Sequence, residues 1–322
     1  MKNIAILTGG DSAEYDISIL SANSVLKHLN SKFYKGYIIH LKDGEFSTLI
    51  NGIIINIDKD DFTFKQEKKS ICFDAIFMAL HGSPAENGLI QPYFDKLNIP
   101  YTSCNAKVSE LTFNKYECNK KLKKIGFRCA ASFLHKKGEK IIEQKIINQV
   151  MLPCFVKPNG AGSSFGISKV KKRGRLAKAI NSALQHDNKV LIEQFIDGTE
   201  ISCGVYTSKN NIQALPITEI VTENEFFDYQ AKYEGKSQEI TPARISKKLT
   251  IKIQKLTTDI YREMELSGIC RIDYIIMKEK PYIIEINTIP GLTEESIIPQ
   301  QIKSANLKLS VIFDSCLVDN KQ

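Results

Sequence analysis

Charged side chains alternate with isoleucines in two apolar segments near the C-terminal end of the chain. Because side chains alternate along a strand, Arg271 and Asp273 share one face of the first segment. Glu285 and Asn287 share one face of the second segment in the same way. A hairpin with its turn near Glu279 would bring the two carboxylates opposite each other and set the arginine against the asparagine.

Two facing carboxylates between apolar neighbours repel each other unless a hard cation lies between them. Carboxylate and amide oxygens are ligands that suit Mg²⁺, often together with the phosphates of a nucleotide. Asp273, Glu285 and Asn287 are therefore predicted to be magnesium ligands. The alternative is a surface hairpin with solvated charges, which the flanking isoleucines disfavour.

A second segment carries a lysine from an apolar strand into a loop rich in glycine and serine. Lys157 ends the strand, and residues 160–166 form the loop. Glycines let backbone N–H groups close over phosphate oxygens, and hydroxyl groups add donors. The segment therefore predicts a phosphate-covering loop. It is not a Walker A loop, whose pattern is G-x-x-x-x-G-K-[ST]. Residues 235–237 match the end of that pattern, but Gln230 stands where its first glycine belongs.

The same loop also satisfies the G-x-S-x-G pattern of α/β-hydrolases, with Ser164 in the nucleophile position. That fold needs an acid and then a histidine downstream. The only later histidine is His186, and no Asp or Glu lies between it and Ser164. A serine esterase therefore stays a remote alternative, for which labelling of Ser164 by a fluorophosphonate would be required.

Weaker signals lie in three other segments. Residues 190–200 form an apolar strand and a linker with acids at both ends, suited to an adenine edge and ribose hydroxyls. Residues 7–18 form a strand, a glycine turn and a helix start, where Asp11 or Asp16 could cap the helix. The pattern G-x-G-x-x-G is missing there, so a dinucleotide fold has no support. His81 follows a strand end, where a lone histidine is usually structural.

The composition is that of an ordinary globular protein of 322 residues with 43% hydrophobic residues. Its net charge of +8 comes from lysines spread along the chain, so no nucleic-acid partner is expected. Its eight cysteines form no C-x-x-C pair and no zinc pattern. No apolar run reaches the roughly 20 residues that cross a membrane, and no signal peptide is visible. A cytoplasmic location without a membrane partner follows as the expectation.

Periodicity divides the chain into three parts, predicted as an N-terminal α/β domain at 1–104, a central part at 105–200 and a C-terminal part at 201–322. The first part is predicted to hold a mainly parallel sheet. The fold class is therefore α/β, with α+β character. Predicted strands cover 4–7, 37–40, 53–57, 75–79, 154–156, 190–194, 201–206, 270–277 and 282–287. Predicted helices cover 17–29, 176–185 and 251–266, and another begins near Lys115.

Taken together, these segments resemble the ATP-grasp superfamily and, within it, the D-alanine–D-alanine ligases of peptidoglycan synthesis. The resemblance covers nearly the whole chain, and its motifs follow one order. They are Gly9-Gly10-x-Ser12-x-Glu14, His81-Gly82, Lys157-Pro158, Gly162-Ser163-Ser164, the 227–233 segment, Arg271-Ile272-Asp273 and the 285–293 segment. The resemblance implies an ATP-grasp fold of three lobes, and a homodimer.

The resemblance also implies roles for individual residues around ATP. Two Mg²⁺ ions, for which Mn²⁺ can substitute, would be held by the three ligands predicted above. The expected contacts to the nucleotide phosphates come from Lys115, Lys157 and Lys232, with Ser163 and Ser164 in the covering loop. Adenine and ribose would be held by Glu193, Ile196 and Glu200.

The remaining implied roles concern the substrates and the closing of the site. Glu14 and His81 would hold the ammonium group of a first D-alanine, and Ser296 with Ile297 the carboxylate of a second. Arg271 and the N–H of Gly291 would stabilise the oxyanion. The segment 223–239 would close as a lid, seated by hydrogen bonds among Tyr233, Ser163 and Glu14. Departures from the family pattern occur at Ala85, Asn87 and residues 159–161.

The implied activity is ATP-dependent ligation of two D-alanines through a D-alanyl phosphate, with release of ADP and phosphate. Tyr233 favours a peptide product, because relatives that make the D-alanine–D-lactate ester lack tyrosine at this place. The alternatives are an ester-forming or other ATP-grasp carboxylate–amine ligase. A nucleotide-binding protein without catalysis is a third possibility, which the intact set of charged residues on the hairpin disfavours.

Overall fold

The computed structural model describes residues 1–160, 166–222 and 237–319. Every strand and helix expected above is present, with ends that differ by a few residues. Three larger sheets and a two-stranded ribbon carry the fold, and helices cover the sheets. No helix in the described ranges is long and apolar enough to cross a membrane.

The first sheet has five strands in the order β4-β3-β2-β1-β7. Strand β1 pairs in parallel with β2 and β7, as expected for an α/β unit, whereas β3 and β4 extend the sheet in antiparallel fashion. The short strands β5 and β6 pair only with each other. The bounds are β1 (Lys2–Gly9), β2 (Tyr34–Lys42), β3 (Glu45–Ile50), β4 (Ile53–Asn56), β5 (Phe64–Gln66), β6 (Lys69–Ile71) and β7 (Ala75–Met78).

Both faces of β1 are buried, which is why its centre, residues 4–7, is a continuous apolar run. Ile4 and Ile6 point to a cluster with the first helix, and Ala5 and Leu7 point to an aromatic-rich cluster on the other face. Four helices belong to this half of the chain. They are α1 (Tyr15–His28), α2 (Gln91–Lys96), α3 (Ala106–Phe113) and α4 (Lys115–Lys124).

The second sheet has four antiparallel strands in the order β10-β9-β11-β8. Two amphipathic helices bury their apolar residues against it, and the shared cluster includes Ile146, Val156, Ile180 and Ile192. The elements are β8 (Ser132–Lys136), α5 (Glu143–Val150), β9 (Cys154–Pro158), β10 (Ser168–Val170), α6 (Leu176–Ala183) and β11 (Lys189–Gln194).

The third sheet has five antiparallel strands in the order β14-β13-β12-β15-β16. The long helix α7 covers it with residues spaced at helical period, among them Leu249, Ile253 and Ile260. The elements are β12 (Thr199–Ser208), β13 (Asn211–Thr222), β14 (Ser237–Ile240), α7 (Lys247–Glu263), β15 (Cys270–Met277), β16 (Lys280–Asn287), α8 (Ile297–Ser304) and α9 (Leu309–Asp319).

Candidate active site

A cavity of about 750 Å³ is lined by residues of all three parts of the chain. Its size is that of a pocket for a cofactor or small substrates. All predicted site residues in the described ranges line it: Glu14, His81, Lys115, Lys157, Glu193, Ile196, Glu200, Arg271, Asp273, Glu285, Asn287, Gly291, Ser296 and Ile297. The predictions on Ser163, Ser164, Lys232, Tyr233 and the 223–236 part of the lid concern residues outside the described ranges.

The predicted hairpin is present, and its register depends on one extra residue. The turn lies at Lys278 and Glu279, both with positive φ, as in the tight turns that suit hairpins. If the pairing next to the turn continued without a break, Asp273 would lie opposite Ile284. A bulge between the pairs of residues 273 and 274 shifts the register, so that Asp273 faces Glu285. The bulge therefore brings the two carboxylates to one face of the cavity.

Asp273 is buried and accepts four hydrogen bonds in the structure. Arg271 donates from Nε to Oδ1 over 2.9 Å and from Nη2 to Oδ2 over 2.8 Å. Asn287 Nδ2 donates to Oδ2 over 2.9 Å, and Ser202 Oγ donates to Oδ1 over 2.5 Å. These donors occupy about four acceptor positions, which is the capacity of a carboxylate. Ser202 has no counterpart among the sequence predictions.

The Arg271 guanidinium stays cationic in this setting. Burial by itself lowers the pKa of Arg271, but the adjacent Asp273 carboxylate outweighs burial and raises that pKa above its ordinary value. The two-point contact also fixes the plane of the guanidinium at the cavity wall. The side chain is thus a fixed positive charge at the place where the resemblance implies an oxyanion.

The hairpin offers oxygen ligands that suit a magnesium ion. The set comprises two facing carboxylates, Asp273 and Glu285, and the amide of Asn287. Among the described residues there is no group of three or more His, Cys, Asp or Glu side chains arranged around a metal position. A metal ion held by Asp273 and Glu285 would therefore need the Asn287 amide or a phosphate as a further ligand. Because Asp273 already has four donors, one of them must leave when a cation binds.

A buried ion pair lies on the second sheet. Lys157 Nζ and Glu193 Oε2 are 2.6 Å apart, and both side chains are about 8% exposed. Asn119 Nδ2, from helix α4, donates to Glu193 Oε1 over 2.7 Å. Burial by itself lowers the pKa of Lys157, but the Glu193 carboxylate outweighs it and leaves the pKa raised. Lys157 is therefore a charged lysine held in one place.

Removing one partner of this pair should destabilise the protein. Glu193→Gln leaves the buried Lys157 ammonium without its paired carboxylate, and breaking a buried pair in this way costs about 3–5 kcal/mol. The double variant Lys157→Met, Glu193→Leu should regain most of the loss, because no buried charge remains. Urea denaturation measures the free energy of unfolding of each variant.

The matched control is Glu117→Gln, which breaks an exposed pair with Lys120 at 3.4 Å. An exposed pair contributes about 0–1 kcal/mol, so this variant should be nearly as stable as the parent. If Glu193→Gln were as stable as the parent protein, the Lys157–Glu193 pair would have to be solvated rather than buried.

Lys115 reaches the cavity because a capping network fixes the start of α4. Asn114 caps the helix, accepting from Glu117 N over 3.2 Å. Asn159, at the root of the glycine-rich loop, donates to Asn114 Oδ1 over 2.9 Å and accepts from Tyr116 N over 2.9 Å. The helix that carries Lys115 is therefore tied to the end of the strand that carries Lys157.

Further acidic side chains line the cavity. Glu14 is the first flanking residue of α1, and its side chain makes no capping hydrogen bond. Asp11 Oδ1 instead accepts from Asp43 N over 3.3 Å, and Asp16 lies inside the first turn of the helix. Glu86, which sequence reasoning left without a role, also lines the cavity. Burial, and then the nearby Glu14 carboxylate, raise the pKa of Glu86 to about 8. The Glu86 carboxyl is therefore largely protonated at neutral pH.

The chain matches the two family models "D-ala D-ala ligase N-terminus", over residues 3–104, and "D-ala D-ala ligase C-terminus", over residues 122–318. It is 48% identical to the D-alanine–D-alanine ligase of Flavobacterium johnsoniae over 318 residues, covering 98% of each chain. It is 44% identical to that of Phocaeicola vulgatus over 322 residues, covering 99% of each.

Solved structures give the same fold. The VanG D-Ala:D-Ser ligase of Enterococcus faecalis superposes with a TM-score of 0.87 at 29% identity, covering 98% of each chain. A D-alanine–D-alanine ligase of Bacillus anthracis, complexed with ATP, has a TM-score of 0.80 at 24% identity, covering 99% of this chain and 97% of that one. Since the two family models together span most of its length, the chain belongs to the D-alanine–D-alanine ligase family.

Proposed function

We propose that the chain joins two D-alanines to D-alanyl-D-alanine, converting ATP to ADP and phosphate, for the synthesis of peptidoglycan precursors. One observation carries the proposal: the Asp273–Glu285 carboxylate pair and Arg271 share a cavity with Lys115 and Lys157. Carboxylates for metal ions, lysines for phosphates and a fixed arginine are the groups that activation of a carboxylate by ATP requires. Family membership supports the same reaction.

The nucleotide side of the reaction uses fixed positive charge. Lys115 and Lys157 neutralise the phosphates, and Lys157 is pre-set by its pair with Glu193. Asp273, Glu285 and Asn287 would hold Mg²⁺ or Mn²⁺, which supplies further neutralisation of the phosphates when bound. Glu193, Ile196 and Glu200 line the side of the cavity proposed for adenine and ribose.

In the first step a carboxylate oxygen of the first D-alanine bonds to the γ-phosphorus, and the bond from that phosphorus to the β-phosphate oxygen breaks. ADP and D-alanyl phosphate result. Glu14 holds the ammonium group of this D-alanine by charge. In the second step the amine of the second D-alanine, after losing a proton, attacks the carbonyl carbon, and phosphate leaves. Arg271 and the Gly291 N–H stabilise the oxyanion formed in between.

Relatives of this fold are named for different second substrates. The VanG ligase, a relative in fold at 29% identity, is named for D-serine as second substrate. Tyr233 favours an amide product, and D-serine and D-alanine would both give an amide. D-alanine is proposed because three curated relatives at 44–48% identity are named D-alanine–D-alanine ligase.

A phosphate-release assay tests the proposal. ATP, Mg²⁺ and D-alanine together should release one phosphate for each dipeptide formed, and omission of D-alanine or Mg²⁺ should stop the release. D-serine and D-lactate, each added with limiting D-alanine, separate the substrate alternatives by mass spectrometry of the product. Phosphate release that does not depend on D-alanine would contradict the proposed function.

The proposed function also includes a location, an assembly and a division into lobes. We propose a cytoplasmic homodimer, as the family resemblance implies. We also propose that the chain divides into lobes at about residues 104 and 200, since the three larger sheets occupy separate stretches of sequence. The Ser163 and Ser164 loop and the Lys232 and Tyr233 lid complete the proposed site.

A further inference from the structure

A chain of polar contacts joins helix α1 to the turn that carries Gly291. His81 Nδ1 lies 2.8 Å from the carbonyl oxygen of Ile289, and His81 Nε2 lies 2.8 Å from Ser21 Oγ. Ser21 Oγ in turn accepts a hydrogen bond from the N–H of Leu292 over 3.2 Å. We call Ser21, His81 and their two backbone partners the histidine bridge. His81 and Ser21 are both buried.

One arrangement of hydrogens satisfies every contact of the histidine bridge. A carbonyl oxygen only accepts, so His81 Nδ1 must carry the hydrogen that is donated to Ile289. In a neutral imidazole Nε2 then accepts, and the hydroxyl of Ser21 donates to it. Burial lowers the pKa of His81 below its ordinary value, which keeps the ring neutral. Both ring nitrogens are thereby engaged with protein groups.

The histidine bridge holds the turn at two points, one on each side of Gly291. Ile289 is fixed through its carbonyl oxygen and Leu292 through its N–H. The turn also passes close to Ser296, because a Cβ at Gly291 would lie 2.7 Å from Ser296 Oγ. The contacts to Ser21 and His81 therefore constrain the backbone on both sides of the Gly291 N–H.

The other end of the bridge leads to Glu14. The backbone N–H of His81 donates to Ser18 Oγ over 2.9 Å, and Ser18 Oγ donates to the carbonyl oxygen of Glu14 over 2.9 Å. Helix α1 begins directly after Glu14. The same buried network thus connects the acidic residue at one wall of the cavity with the turn at another.

We propose that Ser21 and His81 are positioning residues, which orient the Gly291 N–H toward the oxyanion and fix its distance from Glu14. The inference rests on the proposed function for the role of Gly291. It replaces a direct contact between His81 and the substrate ammonium with an indirect role. A misplacement of about 1 Å in a catalytic group can lower the rate by about 100-fold, so such positioning has a measurable effect.

Ser21→Ala tests the inference, because it removes the central hydroxyl of the bridge and leaves Gly291 in place. We expect kcat for dipeptide formation to fall about 10- to 100-fold while KM for ATP and for D-alanine changes little. Ser21→Cys, which keeps the size and a weak donor, should regain part of the rate. If Ser21→Ala does not fold, Ser21→Cys takes its place: its kcat should be lower than that of the parent protein, while KM for ATP and for D-alanine changes little.

The matched control is Ser109→Ala, which removes a buried serine hydroxyl that donates to Cys104 O over 3.2 Å and accepts from Gln91 over 3.3 Å. Ser109 has no hydrogen bond to Ser21 or His81 among those of the described residues. The Ser109→Ala variant should lower the melting temperature to a similar extent and leave kcat within about two-fold, as expected of a merely structural change. An unchanged kcat in folded Ser21→Ala would overturn the inference. A change confined to KM for D-alanine would also overturn it, because that result identifies a substrate ligand.

A second readout does not depend on activity. In ¹⁵N NMR of the substrate-free protein, the His81 ring should be the neutral tautomer with hydrogen on Nδ1, assigned by comparison with His81→Gln. Ser21→Ala should shift the Nε2 resonance. A ring with hydrogen on Nε2 would overturn the bridge even if the ligase assay succeeds. A failed ligase assay with the expected NMR result would instead reject the proposed function.

Discussion

Replacement of Arg271 by alanine is expected to lower kcat for dipeptide formation by about 100- to 1000-fold, the effect of removing one oxyanion donor. The guanidinium lies at the cavity wall, locked in plane by its two contacts with Asp273. It therefore offers a positive charge that needs no reorganisation when the oxyanion forms. Steady-state phosphate release with saturating ATP and D-alanine measures the effect.

Loss of Arg271 also leaves Asp273 with less compensation, so the stability of the variant must be measured alongside its rate. Arg271→Lys keeps the charge but loses the planar fork, and should have an intermediate rate. Arg262→Ala is the matched control, because it removes an arginine paired with Asp259 on the exposed face of α7. Nucleotide binding by folded Arg271→Ala should be retained. A folded Arg271→Ala with the rate of the parent would reject the oxyanion role.

The residues around the hairpin illustrate what alternation along a strand can predict. The period of two set Arg271 and Asp273 on one face, and the pairing of Asp273 with Glu285 and of Arg271 with Asn287 is confirmed. The expected pairs form although the turn lies at Lys278 and Glu279, because the bulge next to Asp273 shifts the register by one residue. A helix starting at Lys115 was also predictable, since an asparagine precedes it as a cap.

Contacts between distant segments were not predictable in the same way. Asn119 reaches Glu193 across 74 positions of sequence, and Ser202 reaches Asp273 across 71. Neither residue lies in a motif, and their roles depend on how the sheets lie against each other. The bulge opposite Asp273 has no sequence signal either, because Ile284 is one of several consecutive apolar residues. Yet without the bulge the two carboxylates would not face each other.

The strands of the first sheet were predicted only in part. Its parallel strands were expected from the alternation of strands and a helix, whereas the antiparallel β3 was not expected. Strand β3 alternates the buried Phe46 and Thr48 with the exposed Glu45 and Leu49, and half of its six residues are apolar. This alternation is typical of a half-buried strand, but it does not indicate whether β3 pairs in parallel or in antiparallel fashion.

Asp273→Asn is expected to lower kcat by more than about 100-fold, since loss of outer-shell partners of a metal already costs about 10- to 100-fold. The change keeps the size of the side chain and removes its charge. The amide that replaces the carboxylate would be a weaker ligand for a divalent ion, so the Mg²⁺ concentration at half-maximal activity should rise. A titration of activity with MgCl₂, repeated with MnCl₂, measures this shift.

Asp259→Asn is the matched control for charge, because Asp259 pairs with Lys255 and Arg262 on the exposed face of α7. It should leave both the rate and the metal requirement unchanged. If Asp273→Asn altered the rate but not the metal requirement, the carboxylate would act only through Arg271.

The double variant Arg271→Ala, Asp273→Asn separates these two roles of the pair. If Asp273 served only to hold Arg271, the double variant would be no slower than Arg271→Ala, because residues that act as one unit are not additive. If Asp273 also holds a metal ion, the rate should fall further and the metal requirement should rise as in Asp273→Asn alone. We expect the second result, because Asp273 faces Glu285 across the hairpin as well as Arg271 along its own strand.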